Sequence, residues 1–226
     1  MKPITILLAE DHTIVREGFR KMLELDEGLK VVGEAEDGRR AVALTKKLRP
    51  DVVLMDIAMP LLNGLEATRQ ILALEEPPFP RVLILSAHGD DEYVRRATES
   101  GAAGFLLKQT SAHDVCRAIR EVHQGKTFST PSVSRRLTRL RSPAGRRGER
   151  GKAFAQLTSR EMEVLQLIAE GKANKQTAAE LGIALKTVEK HREHLMQKLD
   201  IHDTAGLTRY AISVGIIESS VQVTII

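Results

Sequence analysis

Apolar and polar residues follow two alternating periodicities over residues 1–124. Short apolar runs, typical of buried parallel strands, lie near residues 4–9, 31–35, 52–56, 81–86 and 104–108. Segments with apolar residues at helical spacing follow them, near residues 13–25, 38–48, 64–73, 91–100 and 112–124. Parallel strands need a crossover helix on one face of the sheet, so this alternation is typical of a doubly wound fold. The pattern predicts an α/β domain with a five-stranded parallel sheet.

The periodicity is lost after residue 124 and returns near residue 156. Residues 125–155 carry two Pro-containing turns, many lysines and arginines, and few apolar positions after Leu140. Such a composition buries too little apolar surface to form a core, so it favours a flexible basic linker. We therefore expect a first domain at 1–124, a second domain at 156–217 and a short tail at 218–226.

The second domain shows the pattern of a helix-turn-helix. Its first helix opens with the capping box Thr158-Ser-Arg-Glu161 and is expected to end at Gly171. A short helix near 175–181, with Asn174 as its expected cap, precedes a turn and a longer basic helix near 185–199. In this motif the second helix of the pair enters the major groove of DNA. An ordinary amphipathic helix with a solvated charged face fits the same pattern.

Two sets of side chains in this domain are candidates for contacts. Six residues of the longer helix combine cations that attract phosphate with groups that read base edges: Lys186, Thr187, Glu189, Lys190, Arg192 and Glu193. A last helix, near 203–214, has an apolar face formed by Leu207, Tyr210, Ala211 and Val214. This face either pairs two copies on neighbouring DNA half-sites or closes the core of the small domain, and the sequence leaves both open.

Charge is distributed unevenly along the chain. Residues 1–124 carry 17 Lys and Arg against 20 Asp and Glu, a net charge of −3, whereas residues 125–226 carry 17 against 10, a net charge of +7. The basic half is the candidate for nucleic-acid binding. A single cysteine, Cys116, excludes an internal disulfide framework, and no apolar run is long enough to cross a membrane. We expect a cytoplasmic protein without a membrane span.

Polar residues follow four of the predicted strands. Glu10-Asp11, Asp56, Ser86 and Lys108 each stand at the carboxyl end of an apolar run. Because ligands bind at this edge of an open parallel sheet, the side chains are expected to converge. Clustered carboxylates repel each other unless a cation holds them, and Mg²⁺ prefers such oxygen ligands. Attack of Asp56 on a phosphoryl group would form an acyl phosphate, with Lys108 and the Ser86 hydroxyl contacting the phosphoryl oxygens.

Each of these residues alone fits a turn, cap or surface position, but their order along the chain is specific. Together they resemble the motif of the receiver domain of two-component response regulators, which has a flavodoxin-like fold, at Glu10-Asp11, Asp56, Ser86, Phe105 and Lys108. The resemblance implies that Asp56 is the phosphoacceptor and that a histidine kinase is the phosphoryl donor.

The same resemblance assigns roles to the neighbouring residues. Glu10, Asp11 and Asp56 would hold Mg²⁺ together with the backbone carbonyl of Ala58. Ser86 would move to meet the phosphoryl group, and the ring of Phe105 would then turn inward.

The second domain carries a resemblance of its own. It resembles the LuxR-type DNA-binding domain at Leu157-Thr-Ser-Arg-Glu161, Gly171, Asn174-Lys175, Thr187-Val188, His191-Arg192 and Lys198-Leu199. The whole chain therefore resembles a NarL/FixJ-family response regulator, which implies a transcription regulator that binds a double-stranded DNA operator as a homodimer. Ala184 departs from the pattern, since such domains often place a capping Ser there. Thr177 stands where Ile is usual, and its hydroxyl could bond back to the carbonyl four residues earlier, at some cost.

Two other classes of function compete with this interpretation. One is a constitutive DNA-binding regulator that does not use its receiver chemically. The other is a phosphohydrolase that turns over substrate with Asp56 as nucleophile. Such enzymes commonly carry a second acid two residues later, and that position is Ala58 here. We therefore expect phosphoryl acceptance without enzymatic turnover.

Overall fold

The structure, a computed structural model, describes residues 2–74, 77, 79–87, 89–129 and 157–217. The chain divides into two compact units, residues 1–146 and 147–226, and each is described by itself. Most of the expected linker and the whole expected tail at 218–226 lie outside the described residues.

The first unit is built on a parallel sheet. Its strands are β1 (Ile4–Ala9), β2 (Leu29–Ala35), β3 (Val52–Asp56), β4 (Arg81–Ser86), β5 (Gly104–Leu107) and β6 (Phe128–Ser129). Within the described residues the order is β2-β1-β3-β4-β5-β6, with every neighbouring pair parallel. The doubly wound parallel fold is confirmed. The expected number of five strands is wrong, because β6 adds a sixth next to β5.

Strand β6 falls inside the segment predicted as linker. It has only two residues, so it leaves no apolar run in the sequence. The amide of Phe128 donates to the Ala103 carbonyl at 3.0 Å, and the Phe128 side chain is buried. The ordered sheet therefore continues past residue 124.

Five helices connect the strands of this unit within the described residues: α1 (Thr13–Glu24), α2 (Gly38–Leu48), α3 (Gly64–Leu72), α4 (Asp91–Glu99) and α5 (Ala112–His123). Short polar residues start three of them. Asp37, Asn63 and Ser111 each accept a hydrogen bond from the backbone amide three residues later, which satisfies an otherwise unpaired donor at the helix start.

The sheet separates two hydrophobic clusters because successive strand residues point to opposite faces. In β3, Val53 and Met55 join the cluster that includes residues of α2, α3 and α4. Val52 and Leu54 join the other cluster, with residues of α1 and α5. Both faces are therefore covered, which explains why the strands read as continuous apolar runs.

The second unit contains four described helices: α6 (Ser159–Ala169), α7 (Asn174–Leu181), α8 (Leu185–Leu199) and α9 (Thr204–Ser213). The predicted capping box is confirmed, since Thr158 Oγ1 accepts from the Glu161 amide and Glu161 Oε2 accepts from the Thr158 amide. Asn174 is not the cap of α7. It is the first helical residue, and Ala173 occupies the cap position, where its amide donates to Gln176 Oε1 at 2.8 Å.

The apolar face of α9 belongs to the core. Leu207, Tyr210, Ala211 and Val214 are all buried, and α9 packs against α6. The small unit uses these side chains to close its interior, so the structure supports the core interpretation of this face.

Two positions of this unit where the sequence departs from the LuxR-type pattern are Thr177 and Ala184. Thr177 is fully buried, but its hydroxyl makes no hydrogen bond within the described part of the chain; only its amide bonds to the Ala173 carbonyl. The back-bond that the sequence allowed is therefore not formed. Ala184 precedes α8 without a side-chain cap, as its methyl group requires.

Candidate functional sites

The predicted acidic residues meet at the carboxyl edge of the sheet. Glu10 follows β1 and Asp56 ends β3, and these two residues are 0% and 1% exposed. Ligand atoms of Glu10, Asp11, His12 and Asp56 all lie within 4.8 Å of one another. Parallel strands with in-register neighbours produce this convergence from residues that are far apart in sequence.

Lys108 joins the two buried carboxylates. Its Nζ lies 2.9 Å from Asp56 Oδ2 and 2.9 Å from Glu10 Oε2. Its backbone amide donates to the Ser86 carbonyl at 2.8 Å, which links the ends of β4 and β5. The cation therefore lies where it would also contact a group attached to Asp56.

Burial sets the electrostatics of this cluster. Loss of solvation and the neighbouring charge of Glu10 raise the pKa of Asp56 to about 6, against the attraction of Lys108. Burial lowers the pKa of Lys108, but Asp56 and Glu10 attract its proton more strongly, so that pKa lies above its ordinary value. Above about pH 6, Asp56 is therefore an ionised carboxylate beside a protonated lysine, ready to act as a nucleophile.

Two residues of this cluster, Arg16 and His12, were not predicted from the sequence. The guanidinium of Arg16 donates to the Glu10 carbonyl at 2.7 Å and to the Glu34 carboxylate at 3.2 Å. His12 Nδ1 lies 2.8 Å from Asp11 Oδ1, and the charges of Asp11 and Glu10 raise the pKa of His12. His12 could have been predicted because it directly follows the acid pair in the sequence. Arg16 could not, because it reaches the Glu10 carbonyl only once α1 is folded against the sheet.

Gly64 lets the loop after Asp56 close on itself. A Cβ at this position would lie 1.8 Å from the Asp56 carbonyl oxygen, so no other residue fits without displacing the backbone. The Gly64 amide also donates to the Ile57 carbonyl at 2.8 Å. The Asn63-Gly64 pair therefore does more than form a turn, because it brings the start of α3 against the phosphoacceptor candidate.

The remaining receiver residues occupy the expected elements. Ser86 is buried at the end of β4, next to Leu85, which pairs with Asp56 across the sheet. Ala58 lies in the loop that begins after Asp56. Phe105 is already buried in β5, at 4% exposure. Its ring is therefore in the inward position in this structure, not in the outward position from which it would turn.

The cluster fits a hard divalent cation by the chemistry of its donors. Three carboxylates lie together, and two of them are almost completely removed from water. Buried like charges favour binding of a cation, and oxygen donors suit Mg²⁺. These residues could therefore hold a metal ion.

The second unit presents a charged face along α8. Lys186, Thr187, Glu189, Lys190 and Glu193 are all exposed, while Val188 and Leu195 are buried. These five candidate contact residues therefore lie on the solvent side of α8. Arg192 is only partly exposed, and its guanidinium is bonded within the unit.

Both halves match known families. The family described as response regulator receiver domain matches residues 6–120, just over half of the chain. The family described as bacterial regulatory proteins, luxR family, matches residues 155–211. The chain belongs to the response regulator family. Its first unit is the receiver domain, and its second unit is the luxR-type domain.

Relatives of this response regulator match almost its whole length. The transcriptional regulatory protein LiaR of Bacillus subtilis (strain 168) is 40% identical over 209 residues, covering 92% of this chain and 96% of LiaR. The response regulator protein VraR of Staphylococcus aureus (strain Mu3) is 35% identical over 215 residues, covering 95% of this chain and 99% of VraR. A solved structure of Salmonella typhimurium RcsB has a TM-score of 0.57 at 28% identity, covering 94% of this chain and all of RcsB.

These matches show the class of the protein. It is a transcriptional response regulator of the two-component type, with a receiver domain and a luxR-type DNA-binding domain. Among the described residues, no helix has both the length and the apolar character needed to cross a membrane.

Proposed function

We propose that this response regulator is controlled by Mg²⁺-dependent transfer of a phosphoryl group from a histidine kinase to Asp56. The observation that carries the proposal is the position of Lys108, whose Nζ lies 2.9 Å from both the buried Asp56 and the buried Glu10 carboxylates. A nucleophilic carboxylate, a cation for the incoming oxygens and a metal-ligand pair are thus supplied by three strand ends.

The proposed chemistry uses each group at a stated atom. A carboxylate oxygen of Asp56 forms a bond to phosphorus as the phosphorus–nitrogen bond of the donor phosphohistidine breaks, and the bonding electron pair goes to the imidazole. Lys108 and the Ser86 hydroxyl would contact the phosphoryl oxygens. Glu10, Asp11, Asp56 and the Ala58 carbonyl would hold Mg²⁺, which when bound neutralises charge on the carboxylates and the phosphoryl group.

The site is proposed to accept phosphate without acting as an enzyme. An aspartate-nucleophile phosphohydrolase needs a general acid to protonate its leaving group. The position two residues after Asp56 is Ala58, whose methyl group has no proton to give. The acyl phosphate is therefore a regulatory state of this protein, not an intermediate in turnover.

We further propose that the luxR-type domain binds double-stranded DNA as a homodimer, with α8 in the major groove. Five exposed side chains of α8 supply the candidate contacts: Lys186, Thr187, Glu189, Lys190 and Glu193. The RcsB structures support this, since one is described as a complex with DNA and another as two dimers bound to two DNAs. A regulator of this type acts in the cytoplasm, where it meets its operator.

Labelling tests the receiver half of the proposal. The protein is incubated with acetyl phosphate, with and without Mg²⁺, and the phosphoprotein is quantified. We expect labelling only with Mg²⁺, and none for Asp56→Asn. Asp51→Asn is the matched control, because Asp51 stands at the other end of β3 and bonds to Thr5. Equal labelling of the wild type and Asp56→Asn contradicts the assignment.

Selection from a random DNA pool tests the other half. We expect one enriched operator and weaker binding by Lys190→Ala, with affinity falling steeply as salt rises because phosphate contacts release counterions. Operator affinity is then compared before and after phosphorylation at one salt concentration. Equal affinities would support the second candidate, a constitutive regulator, and an unselective domain would contradict DNA recognition altogether.

A further inference from the structure

Arg192 lies on a different side of α8 from the exposed candidate contact residues. An α-helix turns by about 100° per residue, so Arg192 lies about 40° from Val188 and about 60° from Leu195 around the axis. Val188 and Leu195 are both 0% exposed. Lys190 lies about 160° from Val188 and points to solvent. The helical period thus places Arg192 on the inner side of α8.

The guanidinium of Arg192 joins the first turns of two other helices. Nη1 donates to Asn174 Oδ1 at 3.0 Å, and Nη2 donates to Thr204 Oγ1 at 2.7 Å. Asn174 is the first residue of α7, and Thr204 is the first residue of α9. A planar guanidinium holds two acceptors in fixed directions, which an ammonium group does not. One side chain therefore links α7, α8 and α9.

We infer that Arg192 is a positioning residue, which fixes the recognition helix α8 relative to α7 and α9 instead of contacting DNA. Helix α8 packs on α6 and α7 through the buried residues Val188 and Leu195, and Lys198 Nζ lies 2.7 Å from the buried Glu161 carboxylate of α6. Arg192 lies between Val188 and Leu195 in the sequence, and its two hydrogen bonds add an attachment of α8 to the first turns of α7 and α9. The inference deepens the proposed DNA binding and rests on it.

A positioning role and a phosphate contact predict different effects on affinity and on its salt dependence. If Arg192 neutralised a phosphate, its removal would weaken binding and also reduce the salt dependence of binding. If it positions α8, removing its acceptor on α9 weakens binding although no charge is lost. The acceptor is the Thr204 hydroxyl, and Thr204→Val removes it at nearly constant volume.

The experiment measures operator affinity of the full-length chain over a series of salt concentrations. The variants are Thr204→Val, Arg192→Met and the double variant. Thr208→Val is the matched control, because the Thr208 hydroxyl bonds only within α9, to the Thr204 carbonyl at 3.0 Å. Lys190→Met serves as the reference for loss of a cation on the outer side of α8.

We expect Thr204→Val to weaken binding roughly fivefold, the size of one net hydrogen bond, at every salt concentration. Arg192→Met should bind more weakly with an unchanged salt slope, and the double variant should be no weaker than Arg192→Met. Thr208→Val should bind like the wild type.

Two results overturn the inference. One is wild-type affinity of Thr204→Val. The other is a fall of roughly 0.9 in the salt slope of Arg192→Met, which identifies a phosphate contact. If Arg192→Met does not fold, Thr204→Val and its control decide alone. Failure of the wild type to select any operator instead removes the proposed DNA binding itself.

Discussion

Replacing Asp56 by Asn should stabilise the metal-free protein, although it removes the proposed phosphoacceptor. Asp56 is 1% exposed, and the pKa of its carboxyl group rises from an ordinary 3.8 to about 6. At about 1.4 kcal/mol for each tenfold change in proton affinity, the ionised side chain destabilises the folded state by roughly 3 kcal/mol. Asn has the same shape without the charge. We therefore expect Asp56→Asn to be more stable by up to ~3 kcal/mol at pH 8.

The sign of the pH dependence follows from the raised pKa. The folded state holds the proton of Asp56 more tightly than the unfolded state does. The penalty is therefore absent below pH 3.8, grows between pH 3.8 and about pH 6, and is complete above that. The stability advantage of Asp56→Asn should increase through the same window. Mg²⁺ should then reduce the advantage, because it binds the folded wild type and stabilises it.

Calorimetric unfolding of the full-length chain without Mg²⁺, from pH 4 to pH 8, measures the difference. For a domain of this size, ~3 kcal/mol corresponds to a rise of about 10 °C in the receiver transition. Asp51→Asn is the control of opposite sign. Burial opposes ionisation of Asp51, but hydrogen bonds from the Thr5 hydroxyl and amide outweigh it and lower its pKa.

Asp51→Asn should therefore destabilise the protein at pH 8, and most of this loss should persist down to pH 4, because it disappears only as the pH falls from about 3.8 through the lowered pKa of Asp51. The reasoning is refuted if Asp56→Asn is no more stable than the wild type at pH 8. It is also refuted if the difference in stability between Asp56→Asn and the wild type does not change between pH 4 and pH 8.

Three further substitutions test contacts found in the structure. Gly64→Ala should destabilise the receiver by about 3 kcal/mol or more in thermal unfolding, whereas Gly18→Ala, in open space on α1, should stabilise it by about 0.5–1 kcal/mol. Arg16→Gln should weaken Mg²⁺ binding measured by titration calorimetry, because Arg16 no longer holds the backbone carbonyl of Glu10. Arg20→Gln is the control and should bind Mg²⁺ normally, because Arg20 bonds to Glu34 and, within α1, to Glu24. Thr177→Val should raise the unfolding temperature of the luxR-type domain by removing an unpaired buried hydroxyl worth about 1 kcal/mol or more, and an unchanged or lower temperature contradicts that reading.

Local patterns were sufficient for most of the secondary structure. Strands β1, β3 and β4 begin and end at the predicted residues, because each is a continuous apolar run closed by a polar residue. β6 escaped prediction because two residues do not form a pattern; its partner β5 and the burial of Phe128 define it. Likewise, the side chain of Asn174 predicted a cap, but α7 begins at Asn174 itself, one residue earlier than expected.

The candidate site was predictable for a topological reason. Parallel strands deliver their carboxyl ends to one edge, so the polar residues that end β1, β3, β4 and β5 had to converge once the sheet was inferred. Arg192 shows the opposite case. Its charge predicts a DNA contact, whereas its helical phase relative to Val188 places it on the inner side of α8, where it bonds to Asn174 and Thr204.

Periodicity and strand ends are local properties, so the sequence was enough to predict the order of most elements and the sheet edge at which the candidate site residues meet. The electrostatics of the site and the side chains that support it depend on tertiary packing. Lys108 meets Glu10 across 98 positions of sequence, Arg16 folds back onto a carbonyl, and the pKa of Asp56 rises to about 6. Desolvation and side-chain partners depend on which elements pack together, and no local pattern contains that information.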